Sequence, residues 1–258
     1  DEVTVENTNA ENKKVVLILG ATGGIGSQVA RQLALEGYDI ILHYNANKSV
    51  AVELKNELRG ITDKKIIVVR ANLLDSEEVK EMLFETSRYF QSISALVNAS
   101  TLGFAPIKLS DLKWKNILSQ LEVNVKSNLD LIQNTLPFFE ESHYGKIVLI
   151  TSMYTEQATS ELAHYITAKH ALNGFAKGLA VDLASRGVRI NLVSPGMTNT
   201  ALISDVPEKV KLVTAARTPL KRLAEPKDVA DAVSFLVSEK SDFLTGETIR
   251  VNGGQVMW

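Results

Sequence analysis

Val15-Val16-Leu17-Ile18-Leu19-Gly20-Ala21-Thr22-Gly23-Gly24-Ile25-Gly26 is an apolar run that empties into a glycine loop, and an amphipathic stretch follows it to residue 36. A β-branched run of this length predicts a buried strand, and the spacing over 24–36 predicts a helix. At the first strand-to-helix turn of an open parallel sheet three demands meet: a tight turn, a bare backbone where a pyrophosphate approaches, and close packing of helix on strand. Gly20, Gly24 and Gly26 can supply these roles, with Thr22, Gly23 and Ile25 completing the loop. The helix start presents unpaired N–H groups and a partial positive charge to the phosphates. A dinucleotide site is predicted here.

Outward from this unit the same pattern repeats. Ile40-Ile41-Leu42, Ile66-Ile67-Val68-Val69, Ala95-Leu96-Val97, Ile147-Val148-Leu149-Ile150 and Ile190-Asn191-Leu192-Val193 are further strand-sized runs. Continuous apolar runs, rather than alternating ones, belong to strands covered on both faces. The prediction is an α/β fold, a single-domain doubly wound parallel sheet of Rossmann type with helices on both faces. Helix-length segments lie at 24–36, 49–58, 76–89 and 163–184, and Asp75 followed by Glu77 and Glu78 marks a helix start. Residues 109–140 read as one long helix or two, interrupted near the end by Pro137. No repeat or linker divides the chain, so residues 14–258 form one domain behind a polar lead at 1–13. The irregular stretch 197–225, with Pro207, Pro219 and the basic pair Lys221-Arg222, is expected to be a lid.

Composition narrows the function. The 258 residues are 45% hydrophobic and 22% charged, which excludes disordered and fibrous classes. Lys plus Arg total 28 against 30 Asp plus Glu, a formal charge of −2, so nucleic-acid binding has no electrostatic support. Cysteine is absent, which excludes disulfides, thiolate metal sites and a cysteine nucleophile, and no metal is expected. No run reaches the roughly 18 apolar residues of a membrane span, and the polar start lacks a signal-peptide core. A cytoplasmic protein without membrane contact is the expectation.

The ribose reader belongs at the end of the second strand, where an acid favours NAD. That strand ends His43-Tyr44-Asn45, with Lys48 just beyond, and the acid is missing. NADP(H) is therefore favoured at Tyr44 and Asn45, with NAD(H) the alternative. Further along, Tyr165 and Lys169 are four apart in one helix and share a face. A nearby ammonium favours the phenolate, so Lys169 is expected to lower the Tyr165 pKa and make the pair an acid-base unit. Ser152 stands at the end of the fifth run, where ligands of open α/β sheets gather; a plain helix N-cap is its bland alternative. No Gly-x-Ser-x-Gly elbow surrounds it, so it is not read as a hydrolase nucleophile.

Together these residues resemble the short-chain dehydrogenase/reductase family, from Lys14 to the C-terminal end. The glycine pattern falls on Gly20, Gly24 and Gly26, and the active-site set on Ser152, Tyr165, Lys169 and Asn124. Asn98-Ala99-Ser100, Pro195-Gly196, Leu244-Thr245-Gly246 and Val251-Asn252-Gly253-Gly254 match further family positions. The resemblance implies hydride delivery to a carbonyl, with Tyr165 as proton donor and Ser152 stabilising the oxygen. It implies that Lys169 holds the nicotinamide ribose and lowers the Tyr165 pKa, and that Asn124 positions a relay water. Thr198 and Thr200 would cap the carboxamide or anchor the lid, and Asn72 and Leu73 would sit near the adenine. Three positions depart from the family: Asn72 for an acid, Ser100 in the turn after the fourth strand, and Leu19 for a threonine.

Within the family the chain is most similar to 3-oxoacyl-[acyl-carrier-protein] reductases. This implies a small-molecule or thioester substrate, an acyl carrier protein as partner, and Arg186 with His143 or Lys126 as its basic patch. Competing readings are a reductase or dehydrogenase of another small ketone or alcohol, and a cofactor-binding module without turnover. The start at Asp1, without methionine, leaves room for a domain of a longer polypeptide. The resemblance also implies a homotetramer or homodimer through 109–140, 163–184 and the last strand, with Trp258 packed across the interface.

Overall fold

Every apolar run of the sequence becomes a strand of one sheet in the computed structural model, which describes residues 14–257. The strands are β1 (Val15–Leu19), β2 (Asp39–Tyr44), β3 (Ile66–Arg70), β4 (Ala95–Asn98), β5 (Gly145–Ile150), β6 (Val188–Pro195) and β7 (Thr248–Val251). The polar lead and Trp258 lie outside the described residues. Strand order is β3-β2-β1-β4-β5-β6-β7, and every pairing is parallel. The order reverses between β1 and β4, so a crevice opens at their carboxyl ends, directly at Gly20.

The helices are α1 (Gly24–Leu35), α2 (Lys48–Arg59), α3 (Ser76–Ser87), α4 (Trp114–Leu121), α5 (Ser127–Ser142), α6 (Ala163–Ala184), α7 (Glu208–Arg217) and α8 (Pro226–Val237). All of β1 is buried because its alternate side chains feed two cores. Leu17 and Leu19 pack with Met82, Leu131, Phe139 and Leu172 of α3, α5 and α6. Val16 and Ile18 pack with Val29, Leu33, Leu54 and Val233 of α1, α2 and α8. Asp75 caps α3 as its sequence predicts, its carboxylate accepting from the N–H groups of Glu77 and Glu78 at 3.0 and 3.3 Å.

Two expectations need correction. The helical segment begins at Trp114 rather than 109, and its interruption is a π-helical turn at Glu122–Lys126, not Pro137. Pro137 sits inside α5, where the lack of one backbone N–H does not end the helix. His143, in the left-handed region at φ 49°, ends it instead. The stretch 197–225, expected to be a lid, carries a short 3-10 turn (Ala201–Ile203) and α7, and its two ends are tied together. The Asn199 N–H donates to Ala224 O at 2.8 Å and the Ala224 N–H to Met197 O at 3.0 Å.

Candidate active site

The glycine loop has the shape its sequence predicts. Gly20 adopts φ +68°, and a Cβ there would stand 2.7 Å from Ser100 N; a Cβ on Gly26 would overlap Gly20 O. Gly23 is the N-cap of α1 and brings no side-chain cap, and the first turn carries no acid. The helix start therefore keeps its N–H groups for an anion, and the cradle fits a pyrophosphate. Gly24 meets the lid, since a Cβ there would lie 2.7 Å from the Thr200 methyl. Thr198 and Thr200 turn their hydroxyls onto the backbone two residues before them, toward Gly196 O at 3.0 Å and Thr198 O at 3.5 Å. Gly196, after Pro195, donates its N–H to Val251 O at 2.9 Å and ties the lid root to β7.

Beside the loop, His43 bridges three strand ends. The Gly20 N–H donates to Nδ1 at 3.3 Å, and Nε2 lies 2.9 Å from Ala71 O, which sets the neutral Nε2–H tautomer. Burial pushes its pKa down to about 4, against the Ala71 hydrogen bond. Tyr44 is half-buried and Asn45 exposed at the end of β2, with Lys48 exposed at the first turn of α2. Arg70, which sequence reading missed, ends β3 in register with Tyr44. Its Nε faces Asn45 O at 3.5 Å and its Nη1 pairs with Glu78 at 3.0 Å, which leans the guanidinium over the β2 end. The only signal in the sequence was position, a cation closing the strand next to the acid-free one. Asn72 is committed to the chain: its Oδ1 accepts from the Leu74 N–H at 3.1 Å and its own N–H donates to Glu78 at 2.6 Å. Leu73 packs against the core.

The turn after β4 explains the Ser100 departure. Asn98 Oδ1 accepts from both the Ser100 N–H (2.9 Å) and its hydroxyl (2.5 Å), while the Ala99 N–H donates to Leu19 O at 3.1 Å. The Asn98 amide donates to Asn128 Oδ1 at 2.8 Å, Asn128 donates to Asn124 O at 2.8 Å, and Asn124 donates to Gln120 O at 2.9 Å. A chain of buried amides thus links the π turn to this loop, and Asn128 is a member that sequence reading missed. A π turn holds one more residue than an α turn. It places Asn124 inward, only 4% exposed.

Ser152, Tyr165 and Lys169 gather at the carboxyl end of β5, all buried. Ser152 does cap a short 3-10 turn, accepting from the Tyr154 N–H at 3.3 Å, so its bland role and its place in the site coexist. Lys169 Nζ donates to Ile150 O at 2.9 Å and stands 5.7 Å from the Tyr165 ring centroid. The expected lowering of the Tyr165 pKa does not appear. Burial pushes the phenol up to about 12, with Ser152 pulling the other way and Tyr154 adding to the rise; burial also brings Lys169 down to about 8. Desolvation is the largest influence on each of the two groups. Phe104, also missed, stacks on Tyr165 with ring centroids 3.9 Å apart and 22° between planes.

Just after Ser152 in the chain, Met153 and Tyr154 line a cleft of about 240 Å³ together with Gln157, Thr159, Thr214 and Arg217 among others. The patch expected for a carrier protein is not at its mouth within one chain. Arg186 pairs with Glu140 at 3.0 Å, and it and His143 precede the amino ends of β6 and β5. Ser152 follows the carboxyl end of β5, about 20 Å away along a six-residue strand. Lys126 bonds Asp130 and Leu74 O, each at 3.3 Å.

A family profile described as enoyl-(acyl carrier protein) reductase matches residues 20–255. The uncharacterized oxidoreductase YmfI of Bacillus subtilis (strain 168) is 35% identical over 242 residues, 93% of this chain and 98% of that protein. A 3-oxoacyl-[acyl-carrier-protein] reductase FabG of Staphylococcus epidermidis is 32% identical over 246 residues, 95% of this chain and 99% of that one. Among solved structures, a 7α-hydroxysteroid dehydrogenase complexed with NADH and 7-oxo glycochenodeoxycholic acid is similar at TM-score 0.89 and 27% identity, covering 95% of both chains.

Proposed function

The chain belongs to the short-chain dehydrogenase/reductase family, oxidoreductases of carbonyl and alcohol groups, and from that premise we propose that it reduces a 3-oxoacyl thioester with NADPH. The observation that carries this reading is the gathering of Ser152, Tyr165 and Lys169, all buried, at the carboxyl end of β5, with Lys169 Nζ on Ile150 O at 2.9 Å. Burial pushes the phenol up, so it holds the proton that a forming alkoxide would take.

When bound, the reduced dinucleotide supplies hydride to the carbonyl carbon. The chain's own residues do the rest. Gly20 to Gly26 and the start of α1 hold the pyrophosphate, and Lys169 binds the nicotinamide ribose hydroxyls through the ammonium now on Ile150 O. Ser152 donates to the substrate oxygen and stabilises its developing charge, and Tyr165 delivers the proton from its hydroxyl. Asn124 and its amide chain hold the floor that faces them and position the relay water. Near the ribose, Arg70 and Lys48 favour the 2′-phosphate, and no acid stands at the end of β2. The carbonyl carried by an acyl carrier protein or CoA is the reading's substrate, and a homodimer or homotetramer its working state.

Turnover followed by nicotinamide absorbance tests it, with an acetoacetyl thioester, a matched enoyl thioester and simple ketones. Selective oxidation of NADPH by the acetoacetyl thioester, abolished in Tyr165→Phe with cofactor affinity kept, is the expected result. Turnover of the enoyl thioester instead, or an active Tyr165→Phe protein, overturns the reading.

A further inference from the structure

The cleft that follows Ser152 along the chain has a mainly polar lining, with Met153 and Ala158 its apolar members. Met153 and Tyr154 continue from the catalytic serine, and Gln157, Thr159, Thr214, Gln255 and Arg217 complete its rim. Among the described residues no carboxylate side chain lines it. The acid nearest in sequence, Glu156, is held by Arg250 at 2.7 and 2.9 Å. Three other cations of 197–225 are engaged, Arg222 with Asp228 at 2.8 Å, Lys211 with Glu208 at 3.9 Å and Lys221 with Ala216 O at 2.9 Å, while Lys209 is exposed and does not line the cleft. Among the described residues Arg217 has neither an ion pair nor a side-chain hydrogen bond.

Although its side chain is exposed, the backbone that carries Arg217 is pinned. The next residue, Thr218, is buried, with its hydroxyl donating to Thr214 O at 2.8 Å. The Leu220 N–H donates to Gly253 O at 3.2 Å, and a Cβ on Gly253 would lie 2.6 Å from the Thr218 methyl, so the end of α7 is locked to the C-terminal turn. An uncompensated guanidinium, carried on a pinned backbone at the rim of this cleft, is complementary to carboxylate or phosphate oxygens.

Resting on the carbonyl-reductase reading above, we propose that this rim is a binding site for an anionic group at the far end of the substrate, with Arg217 as its cation and Gln157, Thr159 and Thr214 as neutral partners. The alternative role of Arg217 is to complement the dipole at the carboxyl end of α7, which affects stability and not substrate charge preference.

Three probes of one reacting group separate these: acetoacetyl-N-acetylcysteamine, which is neutral, acetoacetyl-CoA, which brings phosphate, and a 3-oxo thioester with a terminal carboxylate. Affinity is measured by calorimetry on the NADP-loaded protein, and turnover alongside, for wild type, Arg217→Gln and Arg217→Lys. The expected result is charge-selective binding in wild type, with a roughly tenfold rise in Kd and KM for a charged probe in Arg217→Gln, partial rescue by Arg217→Lys, and no change for the neutral probe. Whether the phosphate or the carboxylate probe responds identifies the source of the charge. Equal affinity for charged and neutral probes in wild type, or an equal loss for both in Arg217→Gln, overturns the site whether or not any probe is reduced. Charge-selective binding without reduction of any probe overturns the ketoreductase reading and leaves the anion site standing.

Discussion

His43 shows how much one side chain in the cofactor floor carries. Its neutral ring accepts from Gly20 and donates to Ala71, so protonation removes the acceptor of the first loop N–H. Between the ordinary value of 6.5 and the folded value of about 4, the unfolded chain binds the extra proton. Stability therefore rises with pH across that window and is lost as pH falls through it, on the order of 3 kcal/mol for this group. Denaturant midpoints from pH 7 to 4 are expected to fall more steeply in wild type than in His43→Gln, and NADPH affinity to fall with them. Parallel slopes in the two proteins would remove His43 as the cause. Arg70 is the second residue whose role is measurable alone. Arg70→Ala is expected to weaken NADPH roughly 10- to 100-fold in equilibrium binding and to leave NADH within about twofold. A matched loss for both cofactors would mean that Arg70 only holds the β3 end through Glu78.

At the scale of elements, the π turn between α4 and α5 matters most. Its extra residue turns Asn124 inward, and Asn128 then connects it to Asn98 and the turn after β4. Asn128→Leu removes the acceptor of the buried Asn98 amide and a donor to the Asn124 carbonyl, and is expected to cost about 1–3 kcal/mol of stability. It is also expected to lower kcat more than KM, because none of the residues that line the cleft after Ser152 belongs to the chain of amides. Unfolding curves and steady-state kinetics read the two effects separately, and an unchanged kcat would make the chain of amides purely structural. The element also shows why periodicity misled. A π bulge leaves the apolar spacing on either side nearly intact, whereas Pro137, a strong breaker on paper, falls where α5 tolerates it.

For the whole molecule, assembly is the open consequence of the surface. Val181 on α6 is 79% exposed, and Phe243, just before β7, is fully exposed. Light scattering is expected to read a dimer or tetramer at micromolar concentration, and Val181→Asp to shift it toward smaller species; a monomeric wild type would overturn this. The sequence by itself determined the sheet, its parallel sense, the glycine cradle and the positions of Ser152, Tyr165 and Lys169. Those follow from burial on both faces of each strand and from spacings along one helix or one turn, which are local. Tertiary structure alone decided the phenol's raised pKa, the approach of Phe104 to Tyr165, the setting of Arg70 and His43, and the distance of Arg186 from the cleft. Each depends on which distant segments meet and how much water they exclude, and desolvation and long-range contact are not written in local spacing.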